Sequence, residues 1–198
     1  MGRKALDQRI RCDWSFGDLL LIDYHDREWG VPVHDDNLLF EFMILEGAQA
    51  GLNWLTILKK REDYRKAFDN FDPERISVYD EKRIALILQN DRIIRNRLKI
   101  NSAVQNAKSF LAVKKEFGSF DSYIWSFLKE NKPRENRWRS TRQIPVTTPE
   151  SDTMSRDLKR RGFKFIGSTI CYSFMQATGM VNDHKTSCFR YNEILKIR

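Results

Sequence analysis

The sequence predicts an all-α protein, and three observations carry that prediction. Apolar residues recur three and four positions apart through most of the chain, the period of a helix face. No stretch alternates apolar and polar residues for long enough to specify a strand. Capping residues stand ahead of the apolar stripes: Asp35 or Asp36, Asp72 before Pro73, Asp80, Asp91, and Ser151 with Asp152.

Residues 1–11 are polar, basic and unpatterned, and are expected to form a disordered extension. The remainder, 12–198, is long enough for a single domain of two helical lobes around one core. After Cys12 and Trp14, the apolar Leu19, Leu20 and Ile22 lead to Tyr24 and His25. The helix entered at Asp35 or Asp36 runs to about Ala50 and buries Leu38, Leu39, Phe42, Met43 and Leu45. Glu46 falls one turn beyond Phe42 and Met43, inside the same stripe. A carboxylate there is costly unless something pairs with it. It is therefore half of a core salt bridge or the floor of an apolar pocket, and the residues alone leave both open.

Gly51 ends that helix, and Trp54 opens the next, which reaches about Phe68 with Leu55, Ile57, Leu58 and Tyr64 inward. The two starts at Asp72 and Asp80 follow. The longest helix is expected from Asp91 to Gly118, with Ile93, Ile94, Leu98, Ile100, Val104, Ala107 and Leu111 on its buried face. A shorter one spans Phe120 to about Leu128. Between 129 and 149 the pattern is lost. Prolines and six basic residues suggest a solvated surface loop between lobes, with Arg134, Arg137 and Arg139 as weaker candidates for phosphate contact.

The hairpin unit, at about 151–180, joins two helices through a tight turn bounded by Gly162 and Gly167. Ser168 and Thr169 stand where an N-cap is expected, and Ile170, Phe174 and Met175 share the second helix's apolar face. Such a unit is either an ordinary helix corner or a grip for phosphate, because free amides and the positive end of a helix dipole attract anions. Lys164, Gly167, Ser168 and Thr169 are the candidate contacts.

The formal net charge of +8 favours a polyanionic partner, and aromatic residues near basic ones suit the stacking of extruded bases. No stretch approaches the length of a membrane span, and the N-terminus lacks the apolar core of a signal peptide. A cytoplasmic, reducing compartment is expected, in which three cysteines serve as metal ligands or core residues rather than disulfides. A single Cys or His usually has no ligand role. Here Cys12 and His25 near one end, with His184 and Cys188 near the other, make a complete Cys2His2 set. Four protein ligands leave no position for substrate, so a metal held there would be structural and would tie the two ends together. The competing donors are Cys171, which falls within an apolar helix, and His34, which sits at a helix entry.

Seven phrases make a longer pattern: CDW, YHDREWG, LEGAQAGLNW, LKKRE, IIRNRLKI, LKRRGFKFIGSTICYSFMQATG and VNDH-x-x-x-C. Together, from Cys12 to Cys188, they resemble the DNA-3-methyladenine glycosylase I family. The resemblance implies a helix–hairpin–helix DNA glycosylase fold and excision of N3-methyladenine from alkylated double-stranded DNA, with free 3-methyladenine as product. It implies one structural zinc on Cys12, His25, His184 and Cys188. It places Glu46 as the catalytic carboxylate at the bottom of a base pocket walled by Trp14, Tyr24, Trp29 and Trp54, and Gly51 and Leu52 in the loop that fills the gap left by the extruded nucleotide. One chain per lesion is the natural expectation. The superfamily's usual aspartate after the second hairpin helix falls on Asn182, with Asp183 one residue late, and no lysine stands at a Schiff-base position. These departures imply a monofunctional enzyme limited to labile glycosidic bonds. Leu21 departs from the family's aromatic at that place.

Overall fold

The computed structural model describes residues 8–197. Ten α-helices carry the described residues: α1 (Leu19–Arg27), α2 (Asp36–Gln49), α3 (Trp54–Ala67), α4 (Pro73–Ser77), α5 (Glu81–Gln89), α6 (Arg97–Phe117), α7 (Phe120–Trp125), α8 (Pro149–Arg160), α9 (Ser168–Ala177) and α10 (Phe189–Leu195). The centre of the fold is α2. Its run from Leu39 to Ala48 is buried on every side, which a helix tolerates only when neighbours surround it. Those neighbours are α3, α6, α7 and α9. The capping logic holds where Asp35, Asp72 and Asp80 each accept from a backbone amide of the first turn, and Asn53, not singled out in the sequence, caps α3 in the same way. None of the described helices is long and apolar enough to cross a membrane.

Several expectations need correction. The longest helix begins at Arg97 rather than Asp91, with Asn96 accepting from Lys99 N as its cap. Residues 91–95 instead form a turn, because Lys60 Nζ takes the carbonyls of Asp91 and Arg92 and the Tyr64 hydroxyl accepts from Ile94 N. Leu98, expected inside, is exposed in that register. The first hairpin helix is capped by Thr148, with Pro149 at its first position and Ser151 at its third. Ser151 and Thr148 hydrogen-bond each other's backbone reciprocally. At the second hairpin helix the cap is Gly167, which has no side chain to offer, so Ser168 and Thr169 lie within the first turn.

Two further departures concern segments without helical pattern. Strands β1 (Arg134–Glu135) and β2 (Val181–Asn182) pair in parallel, two residues each, too short to show in any alternation. They fasten the 129–149 segment to the chain leaving α9. Residues 1–7 of the expected extension lie outside the described residues. The rest of that extension is held in place: Arg11 is buried and forks onto Asp26 at 2.8–3.1 Å, and Ile10 O accepts from Phe189 N at the start of α10.

Gly179, where the chain leaves α9, has φ +69°, and a Cβ there would meet the backbone at Val31 and Pro32 at 2.4 Å. Backbone on one side and a left-handed conformation on the other leave no cheap relief. Gly179→Ala is expected to destabilise the fold by roughly 3 kcal/mol or more in chemical denaturation. A loss under about 1 kcal/mol would show that the segment 31–32 can move aside.

Candidate functional site

A cleft of about 450 Å³ opens between α2, α9 and the aromatic residues around α1. That size suits a small ring system. One wall is a chain of rings in tilted and edge contact. Trp29 meets Trp14 at 4.9 Å between centroids, Trp14 meets Tyr24 at 6.3 Å, and Tyr24 meets Trp54 at 5.4 Å. The order follows from local structure. Trp14 lies in the 3-10 turn before α1, Tyr24 on α1's buried face, Trp29 just past its end, and Trp54 at the first position of α3.

Glu46 sits at the floor of this cleft, 4% exposed, one turn before the end of α2. Burial pushes its carboxyl up to about 8. The buried, arginine-paired carboxylate of α2 is a different residue, Glu41. It accepts from Arg61 Nε at 2.5 Å and Arg65 Nη2 at 2.7 Å, while Arg61 also reaches Glu28. No described residue donates a hydrogen bond to Glu46 or forms an ion pair with it. The core-salt-bridge alternative therefore falls to Glu41, and Glu46 faces the cleft instead. Burial first, and then the nearby Glu46 charge, raise the Tyr24 phenol well above its usual range. The buried Trp54 indole N–H lies near that phenol and acts against the rise, yet has no hydrogen-bond partner of sound geometry. An unpaired carboxylate and an unpaired N–H in one aromatic cleft are polar groups suited to a partner from outside.

The opposite wall was missed in reading the sequence. It comes from Ile144, Pro145 and Val146 of the 129–149 segment, and from Thr169, Tyr172, Ser173 and Gln176 on one face of α9. The three- and four-residue spacing of the α9 group was a usable signal, whereas the loop carried none. The 129–149 segment is thus part cleft wall rather than only a solvated loop. Its basic residues Arg134 and Arg137 pair with Glu150 and Glu135. Leu21 packs against the core and does not line the cleft. Gly51, at φ +80°, and Leu52 form an exposed corner outside the cleft lining. Lys99 Nζ pins that corner by donating to Ala48 O at 2.8 Å and Ala50 O at 2.7 Å. Lys164 and Thr169 are exposed at the hairpin, Ser168 and Gly167 half-buried.

Cys12, His25, His184 and Cys188 converge as the sequence suggested, all buried, with their donor atoms within 4.8 Å of one another. The S–N separations are 3.4 and 3.7 Å. The edge of a tetrahedron with ordinary Zn–S and Zn–N bonds is about 3.6 Å, so the set fits a tetrahedral metal. Both rings are already oriented for it. His25 Nδ1 bonds Asp26 at 2.8 Å, and His184 Nε2 bonds Trp29 O at 3.0 Å, which leaves His25 Nε2 and His184 Nδ1 facing the cysteines. The hydrogen bond between the two sulfurs pushes the Cys12 thiol up and, together with those from His184 and His25, holds Cys188 low. Cys171 lies in the core and His34 on the surface bonding Asp121, outside the set. The described residues contain a buried Cys2His2 group able to hold a metal.

Residues 14–191 match the family of methyladenine glycosylases. The chain belongs to that family. Among its relatives, DNA-3-methyladenine glycosylase 1 of Escherichia coli (strain K12) is 46% identical over 91% of this chain and 96% of its own. The Haemophilus influenzae DNA-3-methyladenine glycosylase is 47% identical over 90% and 96%. A crystal structure of a 3-methyladenine DNA glycosylase I superposes with a TM-score of 0.88 at 52% identity, covering 91% of this chain and 98% of that one. The Staphylococcus aureus 3-methyladenine DNA glycosylase I, described for its recognition of 3-methyladenine, gives a TM-score of 0.87 at 33% identity over 90% and 95%. For a member of the methyladenine glycosylase family, the position after the second hairpin helix is informative. Asn182 is an amide, and Asp183 is buried with both oxygens hydrogen-bonded internally, so no free carboxylate faces the cleft from here.

Proposed function

We propose that the protein is a monofunctional DNA glycosylase that removes N3-methyladenine from alkylated double-stranded DNA, leaving an abasic site and free 3-methyladenine. One observation carries the reading most strongly: a buried carboxylate, Glu46, without an internal partner, lies beneath a wall of indole and phenol rings. Methylation at N3 puts positive charge on the purine, which weakens its stacking and its glycosidic bond together. Such a cation is attracted to aromatic faces by roughly 0.5–2 kcal/mol each. Glu46 accepts from the purine's amino edge, and a charged acceptor strengthens those bonds. As the bond to the sugar breaks, its electron pair neutralises the departing purine, and water adds to the oxocarbenium-like carbon with loss of a proton.

Access requires the base to leave the duplex, at a cost of a few kcal/mol. Gly51 and Leu52, on the corner pinned by Lys99, fill the gap it leaves. The hairpin between α8 and α9, with Lys164, Gly167, Ser168 and Thr169, holds a phosphate on the free amides at the start of α9. Cys12, His25, His184 and Cys188 hold one structural zinc per chain, which joins the ends and seats Trp14 and Trp29. The Trp29 ring lies 4.6 Å from His184, and Trp14 5.4 Å from His25.

Incubation with dimethyl-sulfate-treated DNA is expected to release 3-methyladenine, detected chromatographically, and to leave intact strands that break only on later alkaline treatment. Binding of the DNA without release of any base would instead favour a catalytically silent zinc-stabilised module. Strand breakage by the protein itself would rule out the monofunctional assignment.

A further inference from the structure

Asp183 is 1% exposed and accepts four hydrogen bonds, all from neutral donors. Its Oδ1 takes Asn136 Nδ2 and Trp138 Nε1, its Oδ2 the Tyr172 hydroxyl and Gln176 Nε2, each at 2.7 Å. A carboxylate has about four lone-pair directions, so this one is saturated and has none left to activate water. What it does instead is organise both parts of the distal cleft wall. Asn136 and Trp138 belong to the loop that goes on to Ile144, while Tyr172 and Gln176 line the cleft from α9.

The consequence lies in the Gln176 amide. A carboxylate only accepts, so Gln176 must turn Nε2 toward Asp183, and Oε1 becomes the other end of the amide. No described residue bonds that oxygen. We propose that Asp183 is a specificity-determining positioning residue, holding Gln176 Oε1 toward the bound purine so that Glu46 and Gln176 together offer the base acceptors only. A purine with an amino group at position 6 supplies donors to such a wall. One with a carbonyl there sets oxygen against oxygen, and an unmatched buried polar pair is strongly rejected. The direction of that amide therefore favours 3-methyladenine over 3-methylguanine, with the Trp54 indole N–H as the cleft's unpaired donor elsewhere. The inference rests on the excision activity proposed above.

Asp183→Asn tests the direction. Its oxygen can keep Asn136 and Trp138, but its N–H2 end then faces Tyr172 and Gln176. The tyrosine hydroxyl can turn to accept, whereas Gln176 must flip, presenting Nε2 to the cleft. With dimethyl-sulfate-treated DNA, the ratio of released 3-methylguanine to 3-methyladenine is expected to rise roughly 10-fold over wild type, with DNA affinity unchanged. Gln176→Met, which keeps the volume but removes both amide ends, is expected to raise the ratio by a smaller factor. A general loosening would lower both releases in proportion and leave the ratio alone. An unchanged ratio in either variant overturns the proposal; should Asp183→Asn fail to fold, the ratio for Gln176→Met decides alone. If wild type releases no methylated base, the excision reading has failed; if it does and the ratio stays fixed, only the role of Asp183 has.

Discussion

Replacing Glu46 by glutamine is expected to lower single-turnover release of 3-methyladenine by about 100-fold or more, and at the same time to stabilise the protein at pH 8. The two effects share a cause. Burial without a partner pushes the carboxyl from an ordinary value near 4.5 up to about 8 in the fold. Between those values the folded state keeps a proton that the unfolded chain has lost, so stability falls as pH rises from about 4.5 to about 8 and is level above. Over that window the loss is on the order of a few kcal/mol. Glutamine cannot ionise and escapes it, so the melting temperatures of wild type and Glu46→Gln should diverge with rising pH. A cationic purine reverses the balance, because its charge favours the ionised carboxylate. For wild type, kcat/KM should accordingly climb toward about pH 8 as the free enzyme ionises, and the variant should lack that limb. Full excision by Glu46→Gln would remove the carboxylate from the chemistry, and a variant less stable than wild type at pH 8 would show that Glu46 is not held unpartnered in the fold.

Loss of the metal is expected to be as damaging, by another route. Protein purified without chelator should carry about one zinc per chain. Cys188→Ser should reduce that content sharply and lower the melting temperature by on the order of 10 °C. Excision should fall with it, although none of the four ligands lines the cleft. Trp14 and Trp29 do line it, and both rings pack on the histidines of the set. Releasing the ends of the chain therefore loosens the aromatic wall. A Cys188→Ser protein with unchanged zinc and melting temperature would take that residue out of the site. Normal excision by a zinc-free protein would separate the metal from the pocket.

The helical class and most helix positions were legible in the sequence because they rest on short-range regularities, whereas the Cys2His2 set came from counting donors at the two ends of the chain and the Glu46 pocket from the family resemblance. Cap residues and three-to-four spacing are local, as the Asp35 and Asp80 caps show. The family phrases run unbroken through YHDREWG and LEGAQAGLNW, which hold Tyr24, His25, Trp29, Glu46 and Trp54. Local regularity also misled. Asp91 resembles a helix start as well as Asn96 does, and only Lys60 and Tyr64, from another helix, decide between them by taking the backbone groups of 91–94.

What the sequence by itself determined is the set of helices and the residue types that a cationic purine and a tetrahedral metal require. Tertiary structure alone decided which carboxylate is paired, since Glu41 and Glu46 both lie on α2 and differ in whether Arg61 and Arg65 can reach them. It also decided that an unpatterned loop walls the cleft and that Asp183 sets an amide rather than serving as a free base. The physical reason is common to all three. Desolvation and hydrogen-bond direction depend on which groups meet in space: Arg61 reaches Glu41 across 20 positions of chain, and Asn136 reaches Asp183 across 47.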